Sequence, residues 1–405
     1  MAPNVEAVRD SEVARRWLPA ELDSLENFSM NEYQRVSRLT DRMPVNNLDM
    51  PLLGLFGEIG SLLSELKKKQ RDQRAYIKYD DAVLEELGDV LWYLSQLASR
   101  ADLSLQVLAQ RSFRELRDWD EVDATFHGTF GDIQSAHDAK AAAEYERRLV
   151  TLAGRAGDLM NDFGSGRITA NRDALSAHLV EIFRALIAAA EAADVALDEA
   201  ARRNLEKTFS RWPAQECYPP LVDSEMIEIE RLPRQFSMYF EEHEAAGKTY
   251  VIQKCNGIIV GDRLTDNKSE KDDYRFHDVF HISYAVFLGW SPVLRALFRL
   301  KRKSDANLDE NQDGARAILI EEGVSTFIFG RGQQLNLYEG LDQVDYSLLK
   351  SIRDFTKGFE VQVCGLWQWE KSILNGFRVF RELKRHRRGM VTADLMARTL
   401  TFTHR

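Results

Sequence analysis

Helical periodicity across the first half of the chain is the feature that most restricts its fold. Up to about Pro213, apolar residues recur at spacings of three and four, and strand-like alternation is almost absent. Nine prolines in 405 residues leave long segments free of helix breakers. Short connections between such segments favour antiparallel helical bundles. Helices are predicted at residues 28–42, 50–71, 80–100, 103–118, 138–164, 171–193 and 196–210.

The pattern changes at Pro213, Pro219 and Pro220, which indicate a linker. Two short β-prone runs then flank Asn256-Gly257, a strong hairpin signal, and helical patterns resume near Tyr274. The predicted fold class is therefore mainly α, with tandem helical bundles followed by a mostly helical C-terminal domain that carries a short β-hairpin. The predicted divisions are an extension at 1–27, bundles at 28–120 and 138–213, a linker and hairpin region at 214–273, and a helical domain at 274–405.

Composition narrows the functional classes. Of the residues, 44% are hydrophobic and 29% charged, which is ordinary for a globular protein. The net charge of −10 argues against a nucleic-acid partner. The three cysteines lie far apart, so neither a disulfide framework nor a zinc ribbon is indicated. With no signal peptide and no apolar run of membrane-spanning length, a cytoplasmic location without a membrane partner is expected.

Two adjacent predicted helices carry carboxylates beside their apolar faces. In "LLGLFGEIGSLLSELKKK" (52–69), Glu58 and Glu65 border the apolar stripe, and in "LEELGDVLWYLSQLA" (84–98), Glu86 and Asp89 do the same. Two antiparallel helices can direct all four acids to one point. Crowded carboxylates need a cation, and oxygen ligands suit Mg²⁺ or Mn²⁺ in phosphoryl chemistry. The alternative is that the acids form the solvated edge of amphipathic helices.

The order "YQRVSRLT", "GLFGEIGSLLSELKK", "EELGDVLWYLSQLA" over residues 28–118 resembles the MazG-type all-α nucleoside triphosphate pyrophosphohydrolases. The resemblance implies a fold in which an ExxE helix and an ExxD helix bind Mg²⁺, and an activity that converts a (d)NTP to the monophosphate and pyrophosphate. Glu58, Glu86 and Asp89 match that pattern. Ser61 stands where the family has an acid, and Glu65 is the candidate replacement.

An internal repeat extends this resemblance. Residues 52–66 align with 149–163, and 100–119 align with 192–212 when one residue is inserted, which predicts that the second bundle is a degenerate copy. The alternative is that any two amphipathic helices resemble each other. Its end, "NLEKTFSRWP", resembles the family segment that holds substrate phosphates, which implies that role for Asn204, Lys207 and Arg211. Lys207 and Arg211 are equally explicable as solvated charges on a terminal helix. Since the family assembles as dimers, the tandem is interpreted as an internal pseudo-dimer, and a homo-oligomer is allowed.

The expected catalytic base, which would deprotonate the attacking water, is Glu86 or the adjacent Glu85. The sequence does not choose between them.

The C-terminal region carries a second candidate metal site. "YRFHDVFHISYAVFLGW" (274–290) places His277 and His281 four residues apart with Asp278 beside them. The next long helix supplies Glu321 and Glu322. The alternative is a pair of histidines with local hydrogen-bond partners. The basic run "RALFRLKRKSD" (295–305) is interpreted as a solvated helix face, with a phosphate or nucleic-acid contact as its alternative.

Three functional hypotheses follow. The first is a Mg²⁺-dependent hydrolase acting on a nucleoside triphosphate or modified nucleotide. The second is a nucleotide-sensing or interaction protein that has kept the fold and lost its ligands. The third is a phosphohydrolase that works through the C-terminal histidine and acid cluster.

Overall fold

The structure, a computed structural model, describes residues 17–19, 29–44, 47–116, 128–134, 144–168 and 171–404, without the side chains of 113–116. The chain divides into two compact units, Met1–Glu216 and Cys217–Arg405. The described residues are mainly α-helical, which confirms the predicted fold class. Most of the predicted extension at 1–27 lies outside the described residues.

Seven helices of the first unit coincide closely with the predicted ones. Small differences remain at their ends, and predicted positions 117–118 and 138–143 lie outside the described residues. The helices are α1 Met30–Ser37, α2 Asp49–Asp72, α3 Tyr79–Arg100, α4 Leu105–Leu116, α5 Tyr145–Gly164, α6 Arg172–Ala192 and α7 Leu197–Arg211.

Packing within the first unit joins the two predicted bundles. Helix α2 packs on α3 and on its repeat counterpart α5, while α5 packs on α6. Helix α3 packs on α7, and the counterparts of these two helices, α6 and α4, also pack on each other. The same pattern of helix packing thus occurs in both halves of the predicted repeat. The core between α2 and α3 is built from apolar side chains that are almost fully buried, including Leu55, Ile59, Leu62, Leu87 and Leu91.

The second unit combines helices with one antiparallel sheet. The strands are β1 Gln235–Ala245, β2 Lys248–Cys255, β3 Ile258–Ile259, β4 Arg388–Asp394 and β5 Thr399–Thr403, in the spatial order β3-β2-β1-β4-β5. The helices are α8 Asp278–Leu288, α9 Pro292–Phe298, α10 Ala306–Asn311, α11 Ala315–Gln334, α12 Tyr346–Phe355 and α13 Leu366–His386. Helices α8 and α13 pack on each other and contact β4 and β5.

The hairpin predicted at Asn256-Gly257 is present between β2 and β3. Asn256 has φ 51° and Gly257 has φ 78°, and two consecutive positive φ values are typical of the tight turn that matches strand twist. Ala246-Gly247 makes a similar turn between β1 and β2, with φ 51° and 74°. Strands β4 and β5 occupy a segment predicted to be helical, which is a correction: pairing of β1 with β4 completes the sheet there.

The basic run at 295–305 is not a fully solvated face, so that interpretation is wrong for two of its arginines. Arg295 and Arg302 are almost completely buried. The Arg302 guanidinium donates to Asp313 at 2.7 Å and to Glu360 at 2.8 Å. Arg295 donates to Asp223 at 2.7 Å. Buried guanidinium groups persist because carboxylates neutralise their charge and satisfy their fork of donors.

Candidate functional site

Three of the four predicted acids meet between α2 and α3. Glu58, Glu86 and Asp89 can each offer a carboxylate oxygen within 4.8 Å of the others, and all three are partly buried. Glu86 and Asp89 lie one turn apart on α3, while Glu58 faces them from the neighbouring α2. The spacing that predicted two facing acidic edges therefore produces one cluster of oxygens.

Electrostatics in this cluster favour a cation. Burial, a hydrogen bond with Glu58 and the charge of that residue raise the pKa of Glu86 to about 8. Burial and the charge of Asp89 raise the pKa of Glu58 as well. Both shifts favour the protonated forms of these carboxyls as long as no divalent cation is bound. Because every donor is a carboxylate oxygen, the cluster fits a hard divalent cation such as Mg²⁺.

Helix α7 brings polar side chains to the same place. The Lys207 ammonium donates to both carboxylate oxygens of Asp89, and its Nζ lies 3.4 Å from Oε1 of Glu85. The buried Asn204 donates from Nδ2 to Asp89 Oδ1 at 2.8 Å, and its Oδ1 accepts from the Tyr33 hydroxyl at 3.2 Å. Burial raises the pKa of Asp89, and Lys207 acts in the opposite direction. Side chains from α2, α3 and α7 therefore meet at one candidate site.

Gly88 permits this close approach of α3 and α7. A Cβ at Gly88 would lie 2.6 Å from the carbonyl oxygen of Ala200 and 3.1 Å from Cβ of Asn204. Gly54 has a comparable role between α2 and α3, because a Cβ there would overlap the ring of Tyr93. Neither glycine was predicted as a site residue, although Gly88 lies directly between the acids Glu86 and Asp89 in sequence.

Glu65 is not part of the acidic cluster. Glu65 lies seven residues beyond Glu58, about 10 Å along the helix axis at 1.5 Å per residue, so a shared face does not give a shared ligand position. Its carboxylate instead accepts from Lys68 at 2.5 Å and from the Tyr76 hydroxyl. The guanidinium of Arg211 lies over the Trp212 ring, 4.8 Å from the centroid.

The predicted C-terminal cluster also comes together. His277, Asp278 and His281 each have a ligand atom within 4.8 Å of the others, and all three are buried. His277 Nε2 lies 3.2 Å from Asp278 Oδ1 and 3.7 Å from Glu322 Oε2. His281 Nε2 lies 3.5 Å from Glu322 Oε1. Helices α8 and α11 thus direct two imidazoles and two carboxylates to a common point.

Further hydrogen bonds orient both imidazole rings. His281 Nδ1 lies 2.8 Å from Glu321 Oε1, and His277 Nδ1 lies 2.9 Å from the Tyr274 carbonyl oxygen. The Tyr274 ring stacks on His277 with an interplanar angle of 3°. Burial lowers the pKa of His281, but Glu321 and Glu322 outweigh this and hold it well above its usual range. Glu321, predicted as a ligand, therefore contacts the opposite side of the ring from the common point.

Sequence comparison gives one family match and one similar protein. The family model of the MazG C-terminal domain matches residues 217–405, the whole of the second unit. The match supports a place in the MazG family. A segment of 75 residues, 18% of the chain, is 36% identical to the Gene 37 protein of Mycobacterium phage L5. That segment spans 66% of the phage protein's length.

No solved structure matches the chain. The MazG match lies in the second unit, whereas the MazG-like motifs were identified in the first, so that N-terminal resemblance stays a prediction. Among the helices that the structure describes, none is long and apolar enough to cross a membrane.

Proposed function

We propose that the first unit is a Mg²⁺-dependent nucleotide pyrophosphohydrolase that converts (d)NTPs or modified nucleotides to the monophosphate and pyrophosphate. The observation that carries this proposal is the meeting of Glu58, Glu86 and Asp89 with Lys207 from the other repeat half. A cluster of oxygen ligands beside an ammonium group is what binding of a metal and phosphates requires. The match to the MazG family supports a nucleotide-related role.

Glu58, Glu86 and Asp89 would hold the metal, and Mn²⁺ suits the same oxygen donors. When bound, the divalent cation supplies positive charge that offsets charge on the reacting phosphates. Three protein carboxylates leave room for water and phosphate oxygens, as Mg²⁺ usually prefers. The site therefore does not need an acid at Ser61.

Proton transfer falls to Glu86 in this proposal. Glu86 is the first candidate for the general base, because its carboxylate belongs to the cluster that would hold the metal. Glu85 is the second candidate, and its carboxylate already lies 3.4 Å from Lys207. Replacing each by glutamine separates the two when Mg²⁺ affinity is measured beside turnover. Replacement of the base should abolish turnover with Mg²⁺ affinity retained, whereas replacement of a metal ligand should lower both.

Lys207 and Asn204 have different roles in this proposal. Asn204 is held between Tyr33 and Asp89, so we assign it the positioning of Asp89. Lys207 pairs with Asp89 in the absence of metal. A divalent cation at Asp89 would compete with that ion pair and release the ammonium group to donate to substrate phosphate. The tandem then acts as a fused pseudo-dimer with acids from one half and the cation from the other.

The test is pyrophosphate release from a panel of dNTPs with Mg²⁺ and with Mn²⁺. Lys207→Ala should lower kcat/KM about tenfold or more, as expected for a lost charged hydrogen bond of about 1.5–3 kcal/mol. The same change should leave Mg²⁺ affinity equal or higher. Arg203→Ala is the matched control, because Arg203 is an exposed cation of the same helix that pairs with Glu199. It should leave both quantities unchanged.

Two outcomes would contradict the proposal. Full activity of Lys207→Ala would remove the role assigned to the second repeat half. Nucleotide binding without pyrophosphate release would favour the alternative of a nucleotide-sensing protein with a degenerate site.

A further inference from the structure

We propose that the second unit holds a tetrahedral transition-metal centre of the Zn²⁺ class, with His277, His281, Glu322 and Asp278 as its ligands. This centre is separate from the oxygen-only cluster of the first unit, and neither proposal depends on the other. Imidazole nitrogens are ligands for Zn²⁺ and related metals, whereas Mg²⁺ prefers oxygen.

Distances between the donor atoms match this geometry. With metal–ligand bonds of about 2.0–2.1 Å, the donors of a tetrahedral zinc site lie about 3.3–3.4 Å apart. Three separations between atoms of the four proposed ligands are 3.2, 3.5 and 3.7 Å, and the last two end at different oxygens of Glu322. His277, Asp278 and His281 each offer an atom within 4.8 Å of the others. An octahedral Mg²⁺ site with bonds of about 2.0–2.1 Å would need neighbouring donors at about 2.9 Å.

A buried nitrogen without a hydrogen bond points to the same ligand. His281 is completely buried, and within the described residues its Nε2 makes no hydrogen bond, although Glu322 Oε1 lies 3.5 Å away. Leaving a buried polar atom unsatisfied costs about 1–3 kcal/mol, and a ligand bound at this point would offset that cost. A metal at the common point would take up that lone pair.

Hydrogen bonds on the far side of each ring prepare both histidines for coordination. The Nδ1 of His281 lies against Glu321, and the Nδ1 of His277 lies against the Tyr274 carbonyl oxygen. When each Nδ1 donates its hydrogen to that oxygen, Nε2 carries the lone pair that can bind a metal. Glu321 is itself fixed by the Ser291 hydroxyl at 2.7 Å and the Val293 amide at 2.8 Å. Such support of metal-bound histidines by carboxylates and carbonyls is a general feature of zinc sites.

The remaining ligands fit the same centre. Gln253 donates to Asp278 Oδ2 and leaves Oδ1 facing the His277 ring. The Glu322 side chain is 39% exposed, so a metal ion can enter from its side of the cluster.

The test uses the full-length protein, stripped with EDTA, dialysed and then loaded with Zn²⁺ in excess Mg²⁺. Bound zinc is measured by mass spectrometry of the metal content, and thermal unfolding is followed with and without Zn²⁺. The expected result is one Zn²⁺ per chain that excess Mg²⁺ does not displace, together with a rise in Tm. Glu322→Ala and His277→Ala should both lose the zinc and the rise in Tm.

Two controls separate this site from others. His243→Ala removes a histidine that lies on β1, and Glu86→Gln alters the cluster of the first unit. Both variants should keep one Zn²⁺. Because the Glu322 side chain is partly exposed, Glu322→Ala should fold even where the buried change His277→Ala does not. Loss or retention of zinc in Glu322→Ala then tests the proposal. No bound zinc in the wild type, zinc retained by Glu322→Ala, or zinc lost only in Glu86→Gln would overturn the proposal.

Discussion

Gly88→Ala is the substitution that tests most directly how α3 and α7 meet. The added Cβ would lie 2.6 Å from the Ala200 carbonyl oxygen, and contacts under 3.0 Å are essentially never adopted by real Cβ atoms. Helix α7 must therefore move by at least about 0.4 Å, the difference between these two distances. A backbone oxygen cannot rotate away as a flexible side chain can, so the whole helix has to shift.

The size of the effect follows from comparison with Gly57→Ala. Gly57 is exposed on α2 and a Cβ there meets nothing within 4 Å, so alanine should stabilise the helix by about 0.5–1 kcal/mol. Gly88→Ala has the same intrinsic gain but adds overpacking, which costs about 1–3 kcal/mol. We therefore expect Gly88→Ala to have a free energy of unfolding about 1–3 kcal/mol below that of Gly57→Ala.

Urea denaturation of both variants measures this difference, and hydrogen exchange of α3 and α7 amides assigns it to the first unit. Because Asn204 and Lys207 lie on α7, Gly88→Ala should also lower pyrophosphate release if the proposed function is correct. Equal stability of the two variants would refute the packing argument. A stability loss with unchanged turnover would leave the packing intact and count against the role of α7 in the site.

Three further predictions concern charge and backbone geometry. Because the pKa of Glu86 is about 8 when folded and 4.5 when unfolded, the folded state keeps the Glu86 proton up to a higher pH than the unfolded state does. Without metal, the free energy of unfolding should therefore fall as pH rises from 4.5 to about 8. Urea denaturation at several pH values should show a weaker pH dependence in Glu86→Gln. Arg302→Met leaves Asp313 buried without its main partner and should cost the second unit about 3–5 kcal/mol in urea, whereas the exposed neighbour change Lys303→Met should stay within about 0.5 kcal/mol. Gly257→Ala places a side chain at φ 78° and should weaken hydrogen-exchange protection of the β2–β3 hairpin by about 1–2 kcal/mol.

The helices of the first unit could be predicted because each carries its own amphipathic pattern. The sheet could be predicted only in part. Phe236, Met238 and Phe240 are buried at alternate positions of β1, so a period of two was present in the sequence. Its pairing with β4 joins residues such as Phe236 and Ala393, which are far apart in the chain. No local pattern reveals such a partner.

The candidate sites were predictable to the extent that spacing within one helix controls them. His277 and His281, or Glu86 and Asp89, share a face because they lie three or four residues apart. The seven-residue spacing from Glu58 to Glu65 also keeps the face but moves too far along the axis. The contribution of Gln253 from a strand and the closeness of α3 to α7 at Gly88 depend on packing between distant elements.

In the proposed repeat, the position in the second bundle that corresponds to the acidic cluster carries a different set of charges. In the repeat, Arg155 replaces Glu58, and Glu181 stands near the position of Asp89. Arg155 and Arg184 lie 3.6 and 2.5 Å from the Glu181 carboxylate, so its charge is neutralised within the protein. A true homodimer would have to repeat any change in both copies, whereas a single chain can keep acids at one place and arginines at the other. In the proposed pseudo-dimer, the proposed metal ligands thus come from one half, and the other half supplies Lys207.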